Sequence, residues 1–221
     1  MVAEAFENGP RAAAPRLKDW LFNPFTYIAG GQSLLIGLIA ILAAGLLGSV
    51  SSTHFDGVLD THTGLAAPRG IFLLEGLIDW LALAAVLLIL GKLASRSSFR
   101  VIDLFGTQAL ARWPTIFIGL VTLLPGYRRF TVFLMQDLPR LMRPGSGMEF
   151  PAAEAAVFAL VMLVVLVCAV WMVALMYRSF SVCCNLRGAK AAGVFILALI
   201  VAEAVSKLAL LAIFNHWAIV K

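Results

Sequence analysis

Apolar residues in this chain fall into runs rather than scattering along it. Crossing the roughly 30 Å of hydrocarbon in a bilayer takes about 20 mostly apolar residues in a helix. Ser33 to Val50 with a lead-in from Tyr27 to Gly31, Ile71 to Leu93, and Phe150 to Tyr177 reach that length, and so does Ala191 to Phe214. A further run, Trp113 to Tyr127, is shorter, carries Pro114 and Pro125, and must borrow length from a neighbour. The pattern predicts spans over 28–50, 71–93, 111–127, 151–177 and 191–214. The expected fold is all-α, a polytopic transmembrane helical bundle of five spans with the third one short, plus interfacial amphipathic helices.

Between the runs the polar residues have their own pattern. The arm 1–24 ends in RLKDWLFNPF, where Trp20, Phe22 and Phe25 alternate with Arg16, Lys18 and Asp19, a mixture suited to the headgroup layer. Residues 25–221 read as a single transmembrane domain. Ala40, Ala44 and Gly48 lie one helical turn apart on the first span, spacing that lets another helix approach closely. After Lys92, the segment ASRSSFRVIDLFGTQALAR places Ile102, Phe105, Ala109 and Leu110 opposite Arg100, Asp103 and Gln108, which predicts a helix lying in the interface from Arg100 to Arg112. A second amphipathic stretch, Arg128 to Arg143, breaks at Pro144, Gly145 and Gly147.

Composition agrees with the membrane reading. Of 221 residues, 62% are hydrophobic and 13% charged, and the mean hydropathy is +0.96. A soluble chain of this size buries only about 70% of its unfolded surface, so the apolar excess must face lipid. Pro10, Pro15, Pro24 and scattered charge replace the short apolar core of a cleavable signal peptide, so the mature chain is expected to be the whole chain. Cys168 within a span and the adjacent Cys183 and Cys184 form no disulfide framework. The net charge of +5 is useful for topology, and nucleic acid is not an expected partner.

With the N-terminus inside and five crossings, Arg11, Arg16, Lys18, Lys92, Arg96, Arg100, Arg112, Arg178, Arg187 and Lys190 fall inside, ten in all. Arg69, Arg128, Arg129, Arg140, Arg143 and Lys221 fall outside, six in all. If the short third run dips in and returns, the tally becomes twelve against four, so charge alone favours four crossings. An irregular apolar segment within the bilayer needs its backbone satisfied by protein, and five crossings are the leading expectation.

Ionisable groups inside spans are functional candidates, because each costs about 2.5–3.5 kcal/mol or more at the bilayer centre and needs a partner. There are four, Glu75, Asp79, Glu203 and Lys207, and the members of each pair, four residues apart, share a helical face. At about 1.5 Å per residue, Glu75 and Asp79 lie roughly 6 and 12 Å from one edge, and Lys207 and Glu203 lie at matching depths. The second and fifth helices are therefore expected to pack together, with Lys207 bridging Glu203 to Glu75 or Asp79. Such a cluster either pins helix register or forms a proton or cation path.

The loop THFDGVLDTH gathers His54, Asp56, Asp60 and His62, residue types that bind zinc or another divalent ion, although the spacing matches no strong metal signature. The alternative is a polar loop folded around Gly57. No other cofactor is expected. Cys183 and Cys184 are membrane-proximal thiols expected to be unreactive. There is no Gly-rich phosphate loop, nucleophile elbow or Ser/His/Asp order, so the chain is not expected to be an enzyme.

The entry NPFTYIAGG, the connection KLASRSSFRVIDLFGTQALARWPTIF and the return YRSFSVCCNLRGAKA resemble the Yip1-domain family in its bacterial branch, over most of the chain from Asn23 to Phe214. The resemblance implies five spans in the cell membrane, the bacterial inner membrane, with the N-terminus cytoplasmic and the C-terminus outside. Eukaryotic relatives are associated with Rab GTPases and vesicle traffic through a soluble N-terminal region, for which this arm is too short. Two functions stand open: a non-enzymatic scaffold binding lipid and membrane-protein partners or copies of itself, and a small transporter or channel using the intramembrane Glu/Asp/Lys cluster.

Overall fold

The computed structural model describes residues 16–64, 67–141 and 149–219. Arg11, Arg143, Lys221 and the break at Pro144, Gly145 and Gly147 lie outside the described residues, as do the side chains of His216 and Trp217. A short helix α1 (Leu17–Phe22) and a 3₁₀ turn at Pro24–Thr26 lead into α2 (Gly30–Ser51). Gly30 makes that entry with φ of +64°, a backbone conformation that costs glycine little. A two-residue hairpin, β1 (Thr53–His54) with β2 (His62–Thr63), precedes α3 (Arg69–Ala94). Then come α4 (Val101–Leu110), α5 (Thr115–Val121), α6 (Pro125–Val132), a π-helical turn at Phe133–Asp137 and α7 (Leu138–Leu141). The long helices α8 (Ala152–Cys184) and α9 (Gly188–Ile219) complete the chain. Asn185 in the left-handed region and Gly188 at φ of +62° turn the chain between them.

Among the described residues four helices are long and apolar enough to cross a membrane: α2, α3, α8 and the Gly188–Phe214 part of α9. A fifth span is available if the pair Val101–Val121 and Pro125–Asp137, bent by 76°, crosses as one element. The packing shows how the first part of that pair lies. Gly106 sits against Gly30 and Leu34, Gly37 against Ala109 and Leu110, Gly119 against Leu47, and Thr122 Oγ1 is 3.0 Å from Ser51 Oγ. Residues 101–122 therefore run parallel to α2 from one end to the other and traverse the same depth. The break inside this element falls at Ala111–Pro114, since Pro114 has no N–H to offer the Leu110 carbonyl.

This corrects two expectations. The helical element beside α2 covers 101–122, whereas the span was expected over 111–127, and the segment from Arg100 to Arg112 packs into the bundle instead of presenting a wet face. Its supposed wet face is inside the protein: Gln108 Nε2 donates to the Met176 carbonyl and to Ser179 Oγ, both at 3.0 Å. Ile102, assigned to the apolar face, is exposed. Polar side chains satisfied by protein can be buried in a membrane helix, so an amphipathic pattern does not by itself place a helix at the surface.

Small residues face inward and large ones outward. Ala40, Ala44 and Gly48 are buried, as the one-turn spacing predicted, whereas Leu35, Ile39 and Leu46 on the same helix are exposed. The outer faces of α8 and α9 carry Leu163, Val167, Val170, Ile196, Ile200 and Leu208, all more than half exposed. That much outward apolar surface belongs in lipid. The core lies between α3, α4, α8 and α9, around Leu83, Leu87, Leu104, Met176, Phe180 and Ala202.

A methyl group on Gly37 would overlap the backbone of Ala109 and Leu110, while one on Gly31 meets nothing within 4 Å. Gly37→Ala is expected to lower stability by about 1–3 kcal/mol, the usual cost of overpacking. Gly31→Ala serves as the control and should leave the midpoint of thermal unfolding in detergent unchanged or slightly raised.

Candidate functional site

The loop between α2 and α3 folds into the bundle. Val58 is 1% exposed and joins the core cluster with Leu83 and Met172, and Phe55 is buried against Ala44 and Ile118. Backbone groups drawn this far into a membrane protein need partners, because water is scarce there. The carboxylates of α3 and α9 supply them.

Glu75, fully buried on α3, accepts the Phe55 amide at 3.2 Å and lies 2.7 Å from His54 Nδ1. The His54 ring stacks on Phe72 with 4.4 Å between centroids. On α9, Glu203 accepts the Leu59 amide at 3.2 Å. A side chain on Gly57 would overlap Glu203 Oε1, so glycine is what lets the carboxylate reach the loop. Lys207 Nζ lies 2.6 Å from Asp60 Oδ2 and 3.5 Å from Glu203 Oε1. The hydrogen bond from Lys207 holds the Asp60 carboxyl below its ordinary value of 3.8, against the opposing effect of partial burial. A depressed carboxylate contributes its stability at neutral pH and loses it only as acidification passes through that lowered value. At its far end the loop is tied to α6 by a 2.5 Å contact between Thr63 Oγ1 and Tyr127 Oη.

The second and fifth spans do pack together, as the matched depths of the two pairs predicted. The bridge differs from expectation: among the described residues Lys207 pairs with Asp60 and Glu203, not with Glu75 or Asp79. Asp79 instead accepts a short hydrogen bond from Ser206 of α9. Its other oxygen, Oδ2, is buried with no hydrogen-bond partner among the described residues.

The sequence pattern puts Arg112 at the end of an interfacial helix, on the inner side of the membrane. It is 4% exposed, inside the bundle, and its charge acts on Asp79 and Glu203. Nε and Nη2, the two nitrogens that form a bidentate fork, have no hydrogen-bond partner among the described residues. Arg112 lines a small cavity of about 20 Å³, together with Gly45, Val58 and Thr115, room for about one water molecule. The sequence carries no signal of this burial, because Pro114 looks like the start of a span rather than a break within a helix.

The proposed metal quartet divides. Donor atoms of Asp56, Asp60 and His62 lie within 4.8 Å of one another, while His54 turns away to Glu75. His62 Nδ1 is 3.1 Å from Asp56 Oδ1, and Asp60 is engaged by Lys207. Cys183 Sγ lies 3.3 Å from Thr107 Oγ1, and Cys168 and Cys184 are buried.

Helices of this length and outward hydrophobicity, around an interior containing Glu75, Asp79 and Arg112, define a polytopic α-helical membrane protein. The model of the Yip1 domain matches residues 10–209, and the chain belongs to that family. No curated protein and no solved structure matches it.

No ion pair joins Arg112 to Asp79 among the described residues, but each is a buried charge in the other's field. Removing one leaves the other less compensated, at a cost of at most the roughly 3–5 kcal/mol of breaking a direct pair. Arg112→Met is expected to destabilise the detergent-solubilised protein by that order, and adding Asp79→Leu should restore most of the loss. A double variant no more stable than the weaker single one would show that the two charges are not coupled.

Proposed function

We propose that this protein is a non-enzymatic membrane scaffold rather than a transporter. The observation that carries the reading is the folded-in loop. Glu75, Glu203 and Lys207, three of the four ionisable residues that the apolar runs contain, bind His54, Phe55, Leu59 and Asp60 of that loop. Groups committed to holding a plug are not arranged along an open path. Partners of the scaffold are the bilayer and membrane proteins, including other copies of the chain, which the outward apolar faces of α8 and α9 could meet.

Charge supports an orientation with the N-terminus in the cytoplasm and the C-terminus outside. At the end of the bundle where α2 begins lie Arg16, Lys18, Lys92, Arg96, Arg100, Arg178, Arg187 and Lys190, with only Asp19 and Asp103 as acids among the described residues. The plugged end carries Arg69, Arg128, Arg129 and Arg140 against five carboxylates: Asp56, Asp60, Asp137, Glu149 and Glu154. Excess lysine and arginine mark the cytoplasmic side, here of the cell membrane.

Reconstituted vesicles test the choice. No proton- or cation-driven flux is expected from the wild-type chain or from Glu203→Gln; pH-dependent flux abolished by Glu203→Gln would establish the transporter reading. The plug has its own readout. In a background without the three native cysteines, Val58→Cys should react slowly with a maleimide. Adding Glu203→Gln should speed the reaction about tenfold or more, because a hydrogen bond to a charged group is lost.

The loop donors are engaged in ion pairs, which favours a structural role for them over metal binding. Zinc titration is expected to show no tight, saturable site; one that disappears in His62→Ala and persists in His54→Ala would instead assign Asp56, Asp60 and His62 as ligands.

A further inference from the structure

The charges that α9 shares with the loop are only partly covered. The Lys207 side chain is 45% exposed and that of Asp60 39%, while Glu203 beside them is 29% exposed. Lys207 stands on an outward stripe of its helix. At about 100° per residue, Ile200 and Leu211 lie roughly 20° and 40° from it around the axis, and these two are 65% and 56% exposed. The same stripe takes in Ala204, also exposed.

Depth follows from the contact of α9 with α3. Ser206, next to Lys207, donates to Asp79, which is ten residues into α3 from Arg69 and so about 15 Å from that end. Beyond Lys207, α9 runs on for twelve residues to Ile219, about 18 Å further. A lysine near a membrane surface can bend its ammonium toward water. This one is tied the other way, because Nζ is held by Asp60 and by Glu203, one turn farther from Ile219. A recess of about 170 Å³ opens beside it, lined by Asp56, Lys207, Leu210, Leu211 and Phe214.

A half-exposed ion pair on a spanning face is poorly served by acyl chains, which neither solvate charge nor accept hydrogen bonds. Lys207 and Asp60 carry opposite signs, so the face complements itself. A two-fold axis brings the same patch of two copies together, placing Lys207 of each copy against Asp60 of the other.

We propose that this face of α9 is an interface between two copies of the chain. Lys207 and Asp60 pair reciprocally at its centre, Ile200 and Leu211 pack on either side along the helix, and Ala204 lets the two helices approach closely. The pairing deepens the scaffold reading, whose partners include other copies, and rests on its placing of the chain in a bilayer.

Cross-linking in native membranes tests it, on the full chain with Cys168, Cys183 and Cys184 replaced by alanine. With a short bismaleimide, Ala204→Cys is expected to give a covalent dimer in about fivefold higher yield than Val170→Cys, a control on the outer face of α8 that is 63% exposed. Leu211→Cys should cross-link as well. Adding Ala204→Trp should lower that yield about fivefold with the thermal midpoint preserved, because Ala204 is exposed in a single copy. Lys207→Met should lower it by about the same factor and Lys207→Arg should keep it. Equal yields from α8 and α9, unchanged yield with Ala204→Trp, or capture of a different protein in place of a dimer would overturn the proposal. So would labelling of Ala204→Cys by a membrane-impermeant maleimide without any dimer, which would show that water covers this face. Vesicle flux addresses the scaffold reading separately: silent vesicles from a chain that stays monomeric reject the pairing alone, and flux from a cross-linked dimer rejects the scaffold alone.

Discussion

The backbone contact between α2 and the broken third crossing is the constraint on which the rest of the interior depends. Lipid supplies no hydrophobic drive for helices to associate, so helices in a membrane come together where small residues allow close packing. Gly37 and Gly106 allow it at one end and Gly119 at the other. With 101–122 laid along α2, Arg112 is carried into the bundle and Gln108 is turned onto α8, where its Nε2 donates to Met176 and Ser179. A bulkier α2 would hold this element away and leave those polar groups in lipid.

Once polar groups are inside, each needs a partner, and the partners come from unusual places. Glu75 of α3 and Glu203 of α9 bind backbone amides and side chains of a loop, not one another. Glu75 and Glu203 grip it at two points, the Phe55 and Leu59 amides, and Gly57 makes room for the second. Ion pairs are weak sources of stability when compared with apolar packing, whether buried like His54–Glu75 or half-exposed like Lys207–Asp60. Their value here is positional: they fix where an irregular segment rests inside a membrane bundle.

The long apolar runs made four helices legible within a few residues, because burial in lipid leaves a signal that no soluble packing imitates. The pairing of α3 with α9 was also readable, since two charge pairs at equal depth have few other ways to be satisfied. The third crossing was misplaced because Pro114 and Gln108 each carry two meanings: a proline bounds a helix or breaks one, and a glutamine faces water or a carbonyl on a neighbouring helix. Arg112 was lost with it. The loop's contacts were illegible for a different reason: His54 and His62 look equivalent in THFDGVLDTH, and only the fold sends one to Glu75 and leaves the other beside Asp56. Partners more than 140 residues away in the chain, as for Leu59 with Glu203, leave no local trace.

That distance along the chain bears on how the molecule is made. The loop follows the first span, but two of its anchors belong to the last one, with 144 residues between Leu59 and Glu203 and 147 between Asp60 and Lys207. During synthesis the segment around Val58 emerges long before α9 exists, so until that helix is inserted its hydrogen-bonded anchors are Glu75 and, at Thr63, Tyr127 of α6. Insertion of α9 and closure of the interior thus become one event. A molecule stopped short of α9 would present an open seam to whatever in the cell inspects unfinished membrane proteins.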